Sequence, residues 1–321
     1  MGRCCFLFFF LLSFSLSASE PLERDVYLMG TSFHVSLFEN DETKGLRQIE
    51  SMVQSVEDTE AQLSTWRDSS ELSRINQQAI DSDFRMSPSL CALMSELKSY
   101  VLSTGGAFDP TVGQILRAWK IQSGFRIADQ ASVTVAVRKT GFSHLEMQNC
   151  FIRKAADVLF DAGAFGKGEA LDRVLNIAAR DHYAPLVLDF GGQIAVWNLR
   201  EPLPITLSDP ANRRLVSNIR IKIATGSLST SAGSEHDGHI NGRTIGHIVD
   251  PRTGYPVPSF GSVTVWHERA LDADILSTAL YVMGPEKGLS WAEENKIAAC
   301  FLFRNRRKPE MTSAFRKMLV N

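Results

Sequence analysis

The stretch Asp161-Ala162-Gly163-Ala164-Phe165-Gly166-Lys167-Gly168 leads directly into a predicted helix over residues 168–180. Helical spacing places four apolar residues on one face of that helix: Ala170, Leu171, Val174 and Leu175. A glycine-rich segment at the positive end of a helix is a favourable position for a phosphate group. The segment is not a Walker loop, since no Ser or Thr follows Lys167, and it lacks the Gly-x-Gly-x-x-Gly dinucleotide pattern. Alone, it is a weak signal.

Helices and strands on either side of this stretch are grouped by type. Strand-like alternation covers residues 25–38, and helical spacing follows over 43–63 and 90–101. After the glycine-rich helix come predicted strands over 185–190, 219–224 and 262–266, a helix over 272–283 and an apolar segment over 298–303. Because the two types cluster and do not alternate strictly, we predict an α+β fold with mixed, largely antiparallel sheets and packed helices. No Pro-, Ser- or Gly-rich linker divides the chain, so we expect one catalytic unit, in one or two lobes.

The composition is that of an ordinary folded enzyme or binding protein. The chain has 321 residues, of which 44% are hydrophobic and 22% charged, so it can bury a substantial core. A formal net charge of -2 gives no basic field for nucleic acid or an anionic membrane. We therefore expect no nucleic-acid partner.

The first 19 residues, MGRCCFLFFFLLSFSLSAS, have the layout of a secretory signal peptide. Arg3 precedes an apolar run over residues 4–12, and small residues follow, with cleavage expected after Ala18 or Ser19. An uncleaved anchor is the alternative, but the run is short against the roughly 20 residues that span a bilayer. The sequence thus predicts export, with residues 20–321 forming the mature catalytic domain.

Three cysteines would remain after cleavage: Cys91, Cys150 and Cys300. An odd, widely scattered set without a Cys-x-x-Cys pair does not make a disulfide framework. At most one bridge could form. We expect none, and interpret the cysteines as buried thiols.

Two further segments contain residues that could carry chemistry. Residues 104–113, TGGAFDPTVG, follow a predicted helix, and their paired glycines would allow close approach of the backbone to a ligand. Helix termination alone also explains Gly105 and Gly106. Residues 247–256, HIVDPRTGYP, form a predicted turn headed by His247, whose imidazole could take a proton from a hydroxyl near neutral pH. A lone histidine is more often structural.

Asp274 and Thr278 lie four residues apart in the predicted helix over 272–283 and therefore share a face. A carboxylate and a hydroxyl suit a hard cation such as Mg²⁺, which keeps water or substrate phosphate as its other ligands. The alternative is an N-cap role for Asp272 or Asp274, with Thr278 a filler. By themselves, the residues do not decide between these interpretations.

The order of the motifs along the chain is far more specific than any one of them. In sequence order they are Met29-Gly30-Thr31, residues 64–72 with Asn76, TGGAFDPTVG with Trp119, DAGAFGKG with Asp172, Gly191-Gly192, TSAG, HIVDPRTGYPV, and SVTV with ADILSTAL. This ordered series resembles the FAD:protein FMN transferase (ApbE) family across nearly the whole mature chain.

The resemblance implies a role for individual residues. Met29 matches the flavin-binding methionine of the family, and the other residues implied to contact FAD are Trp66, Ala107, Phe108, Asp109, Asp161, Lys167 and Val249. The implied Mg²⁺ ligands are the backbone carbonyl of Ala164 and the side chains of Asp274 and Thr278. His247 would activate the hydroxyl of the acceptor.

The resemblance also implies the reaction and its setting. A Thr or Ser hydroxyl of a target protein attacks FAD in a Mg²⁺-dependent reaction, takes up the FMN moiety and releases AMP. The implied acceptor is an exported flavoprotein subunit of a membrane redox complex, such as a Na⁺-translocating NADH:quinone reductase, in the periplasm or at the inner membrane. The alternatives are a Mg²⁺-dependent FAD pyrophosphatase and a non-catalytic exported flavin-binding protein.

Overall fold

The computed structural model describes residues 20–233, 237–240, 242–304 and 308–320. The predicted signal peptide, residues 1–19, lies outside these ranges. Within them, no helix has the length and apolar character needed to cross a membrane.

Helices and strands of the described residues follow one another in clusters. The helices are α1 (Glu42–Leu63), α2 (Glu71–Gln77), α3 (Pro88–Ser103), α4 (Gly113–Trp119), α5 (Gln130–Arg138), α6 (Gly166–Arg180), α7 (Ala270–Met283), α8 (Pro285–Glu294) and α9 (Ser313–Arg316). The strands are β1 (Leu22–Leu28), β2 (Thr31–Leu37), β3 (Asp83–Arg85), β4 (Leu145–Gln148), β5 (Phe151–Lys154), β6 (Leu186–Phe190), β7 (Gln193–Trp197), β8 (Leu203–Asp209), β9 (Asn212–Ile223), β10 (Gly226–Ala232), β11 (Gly238–Ile240), β12 (Arg243–Ile245), β13 (Gly261–His267), β14 (Ala298–Phe303) and β15 (Glu310–Met311).

An eight-stranded sheet forms the centre of the fold, in the order β1-β2-β6-β7-β10-β13-β14-β15. Every neighbouring pair in it is antiparallel. Smaller antiparallel sheets are formed by β3-β5-β4, β8-β9 and β11-β12. The predicted α+β class with largely antiparallel sheets is therefore confirmed.

Close packing of α6 against α7 brings the glycine-rich segment to the central strands. Gly168, in the first turn of α6, is buried against α7. A Cβ atom there would lie 2.6 Å from the carbonyl oxygen of Ala270 and 2.8 Å from the Cβ of Asp274, so only glycine allows this approach. On its other side α7 packs on β10 and β13. The N-terminal turn of α6 thus lies directly beside the predicted metal ligand Asp274.

The single strand predicted over residues 25–38 is wrong, because the chain reverses in its middle. β1 and β2 pair as an antiparallel hairpin from Leu22↔Leu37 to Leu28↔Thr31. The connection is Met29-Gly30, with φ values of 48° and 78°. Positive φ at both central residues is typical of a type I′ turn, whose twist suits a two-residue hairpin. The prediction failed because alternation continues through this short turn.

The expectation that no disulfide forms is also wrong. Cys91 in α3 is bonded to Cys150 in the β4–β5 turn, across a sequence separation of 59 residues and a Cα–Cα distance of 5.2 Å. Cys300 is a buried free thiol, as expected. The small β3-β5-β4 sheet is thereby fixed to α3, which precedes the TGGAFDPTVG segment.

Reducing the Cys91–Cys150 bond is expected to lower the melting temperature by at least about 4 °C. Closing a loop of this length restricts the unfolded chain, which typically stabilises a protein by roughly 2–4 kcal/mol. Thermal unfolding with and without dithiothreitol measures the effect. Cys300→Ala is the matched control and should retain the full response to reductant, whereas Cys91→Ala/Cys150→Ala should show none. Identical melting curves of the unmodified protein in both conditions would refute the bond.

Candidate active site

Two adjoining cavities, of about 780 Å³ and 700 Å³, lie between α6, α7, the β1–β2 turn and the loops after α3 and β12. Each falls within the roughly 300–1,000 Å³ that small-molecule sites commonly occupy. Their shared lining residues are Gln122, Asp161, Gly163, Lys167 and Gly191. The glycine-rich segment therefore forms the junction of a two-armed cleft.

All residues that the sequence assigned to the site line this cleft. The first cavity contains Ala107, Phe108, Asp109, Asp161, Ala164, Lys167, His247, Val249, Asp274 and Thr278, and the second contains Met29 and Trp66 together with the shared Asp161 and Lys167. After the parts of FAD that we expect them to hold, we label the first the nucleotide arm and the second, with its Met29, the flavin arm. Trp66 is 73% exposed, so a ring stacked on it would be covered on only one side by this chain. Lys167 lies where the two arms meet and provides a positive charge there.

Hydrogen bonds around Asp161 hold the junction in place. Its carboxylate accepts from the backbone N–H of Gly163 at 2.9 Å and from the side-chain amide of Gln122 at 2.6 Å. Its own N–H donates to the carbonyl of Pro110 at 2.8 Å, which joins the two glycine-rich segments. Burial raises the pKa of Asp161 and of Asp109, while the bonds from Gly163 to Asp161 and from Thr111 to Asp109 oppose the rise.

The flavin arm is fixed by contacts at the end of α1. The N–H of Met29, in the hairpin turn, donates to Oε1 of Glu60 at 3.2 Å. Glu60 also pairs with Arg67 at 3.0 Å, next to Trp66 in the chain. One carboxylate therefore connects the turn that carries Met29 to the loop that carries Trp66, and both side chains reach the same cavity.

Oxygen atoms cluster around Asp274, which is 3% exposed. Oδ2 accepts the N–H of Gly168 at 3.0 Å, and Oδ1 accepts the hydroxyl of Ser229 at 3.2 Å. Thr278, one turn further along α7, lies 3.1 Å from the hydroxyl of Ser231 on β10. Neither serine was assigned to the site from the sequence, although Ser231 belongs to the TSAG motif, and nothing in the spacing of Ser229 and Ser231 indicated that β10 would face α7.

The interpretation of Asp274 as an N-cap is wrong. The helix begins at Ala270 with Arg269 in the cap position, and the N–H of Ala270 donates to Asp172 instead. Asp172 is buried beside α7, and burial raises its pKa to about 6. Asp274 is thus available at the cleft and is not required to begin the helix.

The residues around Asp274 fit a hard cation. A buried carboxylate, a hydroxyl and the backbone of Ala164 line one cavity, and oxygen donors of these kinds are those that Mg²⁺ prefers. Within the described residues no group of three or more His, Cys, Asp or Glu side chains could hold a metal, and the predicted ligands include only one such side chain. Lys167 Nζ lies 3.7 Å from Asp274 Oδ1, where its positive charge pairs with the carboxylate that a bound cation would also use.

His247 faces the nucleotide arm and forms a pair with Asp237 that the sequence did not reveal. Its Nδ1 lies 2.9 Å from Oδ1 of Asp237, and its backbone N–H donates to the same oxygen at 3.1 Å. When Nδ1 carries the hydrogen, Nε2 is the basic nitrogen of the neutral ring. Asp237 lies in a polar segment without periodicity. The sequence therefore gave no indication that Asp237 pairs with His247, other than its position ten residues before that histidine.

The turn after His247 is closed by other residues. The N–H groups of Asp250 and Gly254 donate to the carbonyls of Tyr255 and Asp250. The guanidinium of Arg252 binds the Asp250 carboxylate at 2.8 Å through two nitrogens, and the indole of Trp119 donates to Gly254 at 2.8 Å. None of these bonds involves the imidazole, whose Nδ1 pairs with Asp237 instead.

Comparison with known proteins identifies the family. A profile described as the ApbE family matches residues 29–301. The chain belongs to the ApbE family. The resemblance drawn from the ordered motifs, and the enzyme class expected from it, are confirmed.

Individual ApbE proteins align along nearly the whole chain. A relative from Klebsiella pneumoniae named FAD:protein FMN transferase is 27% identical, over 94% of this chain and 91% of its own length. One of the same name from Vibrio cholerae is 28% identical, over 88% of each. The crystal structure of the Pseudomonas stutzeri flavinyl transferase ApbE, in its apo form, superposes with a TM-score of 0.82 at 25% identity, covering 94% of this chain and 98% of that one.

Proposed function

We propose that this ApbE protein is a Mg²⁺-dependent FAD:protein FMN transferase that acts on a Ser or Thr hydroxyl and releases AMP. The observation that carries the proposal is the convergence of three groups on one cleft. The Asp274–Thr278 oxygens, Lys167 at the α6 N-terminus and the His247–Asp237 pair all line the nucleotide arm. They surround the junction where the linker of a two-ended ligand would lie.

The proposed reaction exchanges one phosphorus–oxygen bond for another. The acceptor hydroxyl gives its proton to Nε2 of His247, and its oxygen forms a bond to the phosphorus on the FMN side of FAD. The bond from that phosphorus to the bridging oxygen breaks, and the bridging oxygen leaves with AMP. The acceptor then carries FMN through a phosphoester, and no covalent intermediate with this protein is needed.

Residues of this chain would supply positive charge at the phosphates and would orient FAD for that exchange. Lys167 and the positive end of α6, a helix of 15 residues, lie where negative charge develops on the phosphate oxygens. Asp274, Thr278 and the Ala164 carbonyl would hold Mg²⁺, which, when bound, neutralises the phosphates and withdraws charge from the leaving group. Met29, Trp66, Ala107, Phe108, Asp109, Asp161 and Val249 would bind and orient the rest of FAD.

The proposal is tested by incubating the protein with FAD, Mg²⁺ and a flavin-free acceptor, then viewing a denaturing gel under ultraviolet light. We expect a fluorescent acceptor band that is absent when a chelator is added. AMP release with an unlabelled acceptor would indicate a FAD pyrophosphatase. FAD binding without AMP release would indicate a non-catalytic flavin-binding protein.

Asp237→Asn is expected to lower kcat for transfer by roughly 10–100-fold and to leave KM for FAD nearly unchanged. Without its carboxylate partner, the imidazole of His247 is no longer held in one orientation and one tautomer, whereas FAD binding uses other residues. Steady-state kinetics of acceptor labelling measures both constants. The His34–Asp25 pair has the same 2.9 Å geometry on the β1–β2 hairpin, outside the cleft, so Asp25→Asn is the matched control and should change neither. A rise in KM for FAD without a change in kcat would contradict this role.

Export to the periplasm, with or without attachment to the inner membrane, is part of the proposal. It is supported by the leader-like residues 1–19 and by the Cys91–Cys150 bond, since disulfides persist mainly in oxidising compartments. The proposed acceptor is accordingly an exported flavoprotein subunit of a membrane redox complex, such as a Na⁺-translocating NADH:quinone reductase. Fractionation that recovers the chain in the cytosol with Met1 intact would contradict export.

A further inference from the structure

A third cavity, of about 240 Å³, opens from the same junction as the nucleotide and flavin arms. Lys167 and Gly191 line all three cavities. Beyond them, the third is lined by residues 192–193, by the end of β8 and the residue after it at 208–210, and by residues of two central strands that include Thr230 and Thr264. Apart from Lys167, it contains no residue assigned above to FAD or the metal. A third reactant could therefore reach the junction while both arms are filled.

One edge of β10 is open at this cavity. Along its other edge β10 pairs with β13 from Ser227 to Ala232, but with β7 it pairs only at Gly226–Leu228. β7 begins at Gln193, where the chain arrives from the Gly191–Gly192 turn. Within the described part of the chain, no strand pairs with residues 229–232 on that side. Backbone N–H and C=O groups of alternate residues there point across the gap, as a template for one more strand.

The two faces of this open stretch have different surroundings. Ser229 and Ser231 point toward α7, where their hydroxyls lie 3.2 Å from Asp274 and 3.1 Å from Thr278. Thr230 is exposed and lines both the first and the third cavity, and its hydroxyl lies 2.8 Å from that of Thr264, which lines the third. Because paired residues on neighbouring strands project to the same face, a residue opposite Ser231 would project toward Asp274 and Thr278.

We propose that the acceptor protein presents its Ser or Thr on an extended segment that pairs with the open edge of β10 at residues 229–232. The residue opposite Ser231 carries the hydroxyl to the FMN-side phosphorus, and its chain neighbours project into the third cavity. The described lining of that cavity consists mostly of small or polar residues and contains no aromatic side chain, which suits an extended peptide with short side chains better than a planar ring. The inference rests on the proposed transferase function and adds how the acceptor is bound.

The test fills the third cavity without altering the two arms. Ser208 lies at the exposed end of β8 and lines only this cavity, so Ser208→Trp would block it with little effect on the core. Asn218→Trp is the matched control, because Asn218 is exposed on the same hairpin and lines none of the three cavities. The probe is the flavin-free acceptor subunit of a Na⁺-translocating NADH:quinone reductase. Acceptor labelling is read on a denaturing gel, and FAD affinity by flavin fluorescence.

We expect Ser208→Trp to lower acceptor labelling at least tenfold with unchanged FAD affinity, and Asn218→Trp to change neither. Ser208→Arg should behave like Ser208→Trp, and matching melting curves would show that both remain folded. Full acceptor labelling by Ser208→Trp and Ser208→Arg would overturn the proposal. It would also be overturned if these variants lost FAD affinity together with labelling, because the third cavity would then belong to the FAD site. If the unmodified protein binds FAD but labels no acceptor, the transferase function itself fails, and the acceptor route with it.

Discussion

Asp274→Ala is expected to reduce AMP release from FAD by at least about 10³-fold while FAD still binds. The residue supplies the one charged side chain of the proposed Mg²⁺ site and is buried in the nucleotide arm, 3.7 Å from the ammonium of Lys167 at the junction. A metal ion at a phosphate contributes several kcal/mol to transition-state stabilisation, and about 1.4 kcal/mol corresponds to a factor of ten in rate. AMP release at saturating FAD measures the loss, and flavin fluorescence measures binding.

Asp274→Asn removes the negative charge of the side chain and keeps its size, so it distinguishes the effect of the charge from the effect of packing. The amide has the same size and can still accept the N–H of Gly168, which the alanine variant leaves without this partner. We expect a melting temperature close to that of the unmodified protein, together with nearly the same loss of activity. Unchanged AMP release by this variant, or by the unmodified protein in excess chelator, would disprove the metal assignment.

His247→Ala should lower acceptor labelling by roughly 10²–10⁴-fold and reduce AMP release without acceptor much less. A Ser or Thr hydroxyl is a poor nucleophile at neutral pH and must lose its proton as it attacks, which a positioned base accelerates by about that factor. Water can approach the phosphorus from other directions and can be activated by a metal. Parallel assays of gel-bound flavin and AMP measure the two reactions.

The control for this variant is His34→Ala. His34 pairs with Asp25 at 2.9 Å, the distance found for His247 and Asp237, but lies outside the cleft. It should leave both reactions unchanged. Equal loss of labelling and hydrolysis in a His247→Ala protein with an unaltered melting temperature would remove His247 from the role of base.

Local patterns in the sequence were sufficient for much of the fold. The helix predicted over 43–63 is Glu42–Leu63, the helix over 168–180 is Gly166–Arg180, and the helix over 272–283 is Ala270–Met283. The first two have a buried apolar face set by the 3.6-residue period, which a single sequence displays, whereas the third is apolar and buried on nearly all sides. The Met29-Gly30 turn was missed because a two-residue I′ turn interrupts alternation for so short a distance.

Contacts between distant segments could not be predicted in the same way. The Cys91–Cys150 bond joins residues 59 positions apart in separate elements, and no spacing rule connects them. Ser229 and Ser231 reach Asp274 and Thr278 only because β10 packs on α7. Such contacts depend on tertiary packing, which a single sequence does not display. The ordered motif series could therefore indicate which residues line the cleft, but not which neighbouring residues hold them in position.

The ratio of AMP released to flavin covalently bound to the acceptor, measured in one reaction, tests the central claim most directly. AMP is quantified by chromatography, and bound flavin by the intact mass of the acceptor subunit. Transfer of FMN to a protein hydroxyl predicts one AMP for each bound flavin, with the mass of the acceptor increased by one FMN group. AMP that accumulates with free FMN while the acceptor mass stays unchanged would contradict the transferase and identify a FAD pyrophosphatase.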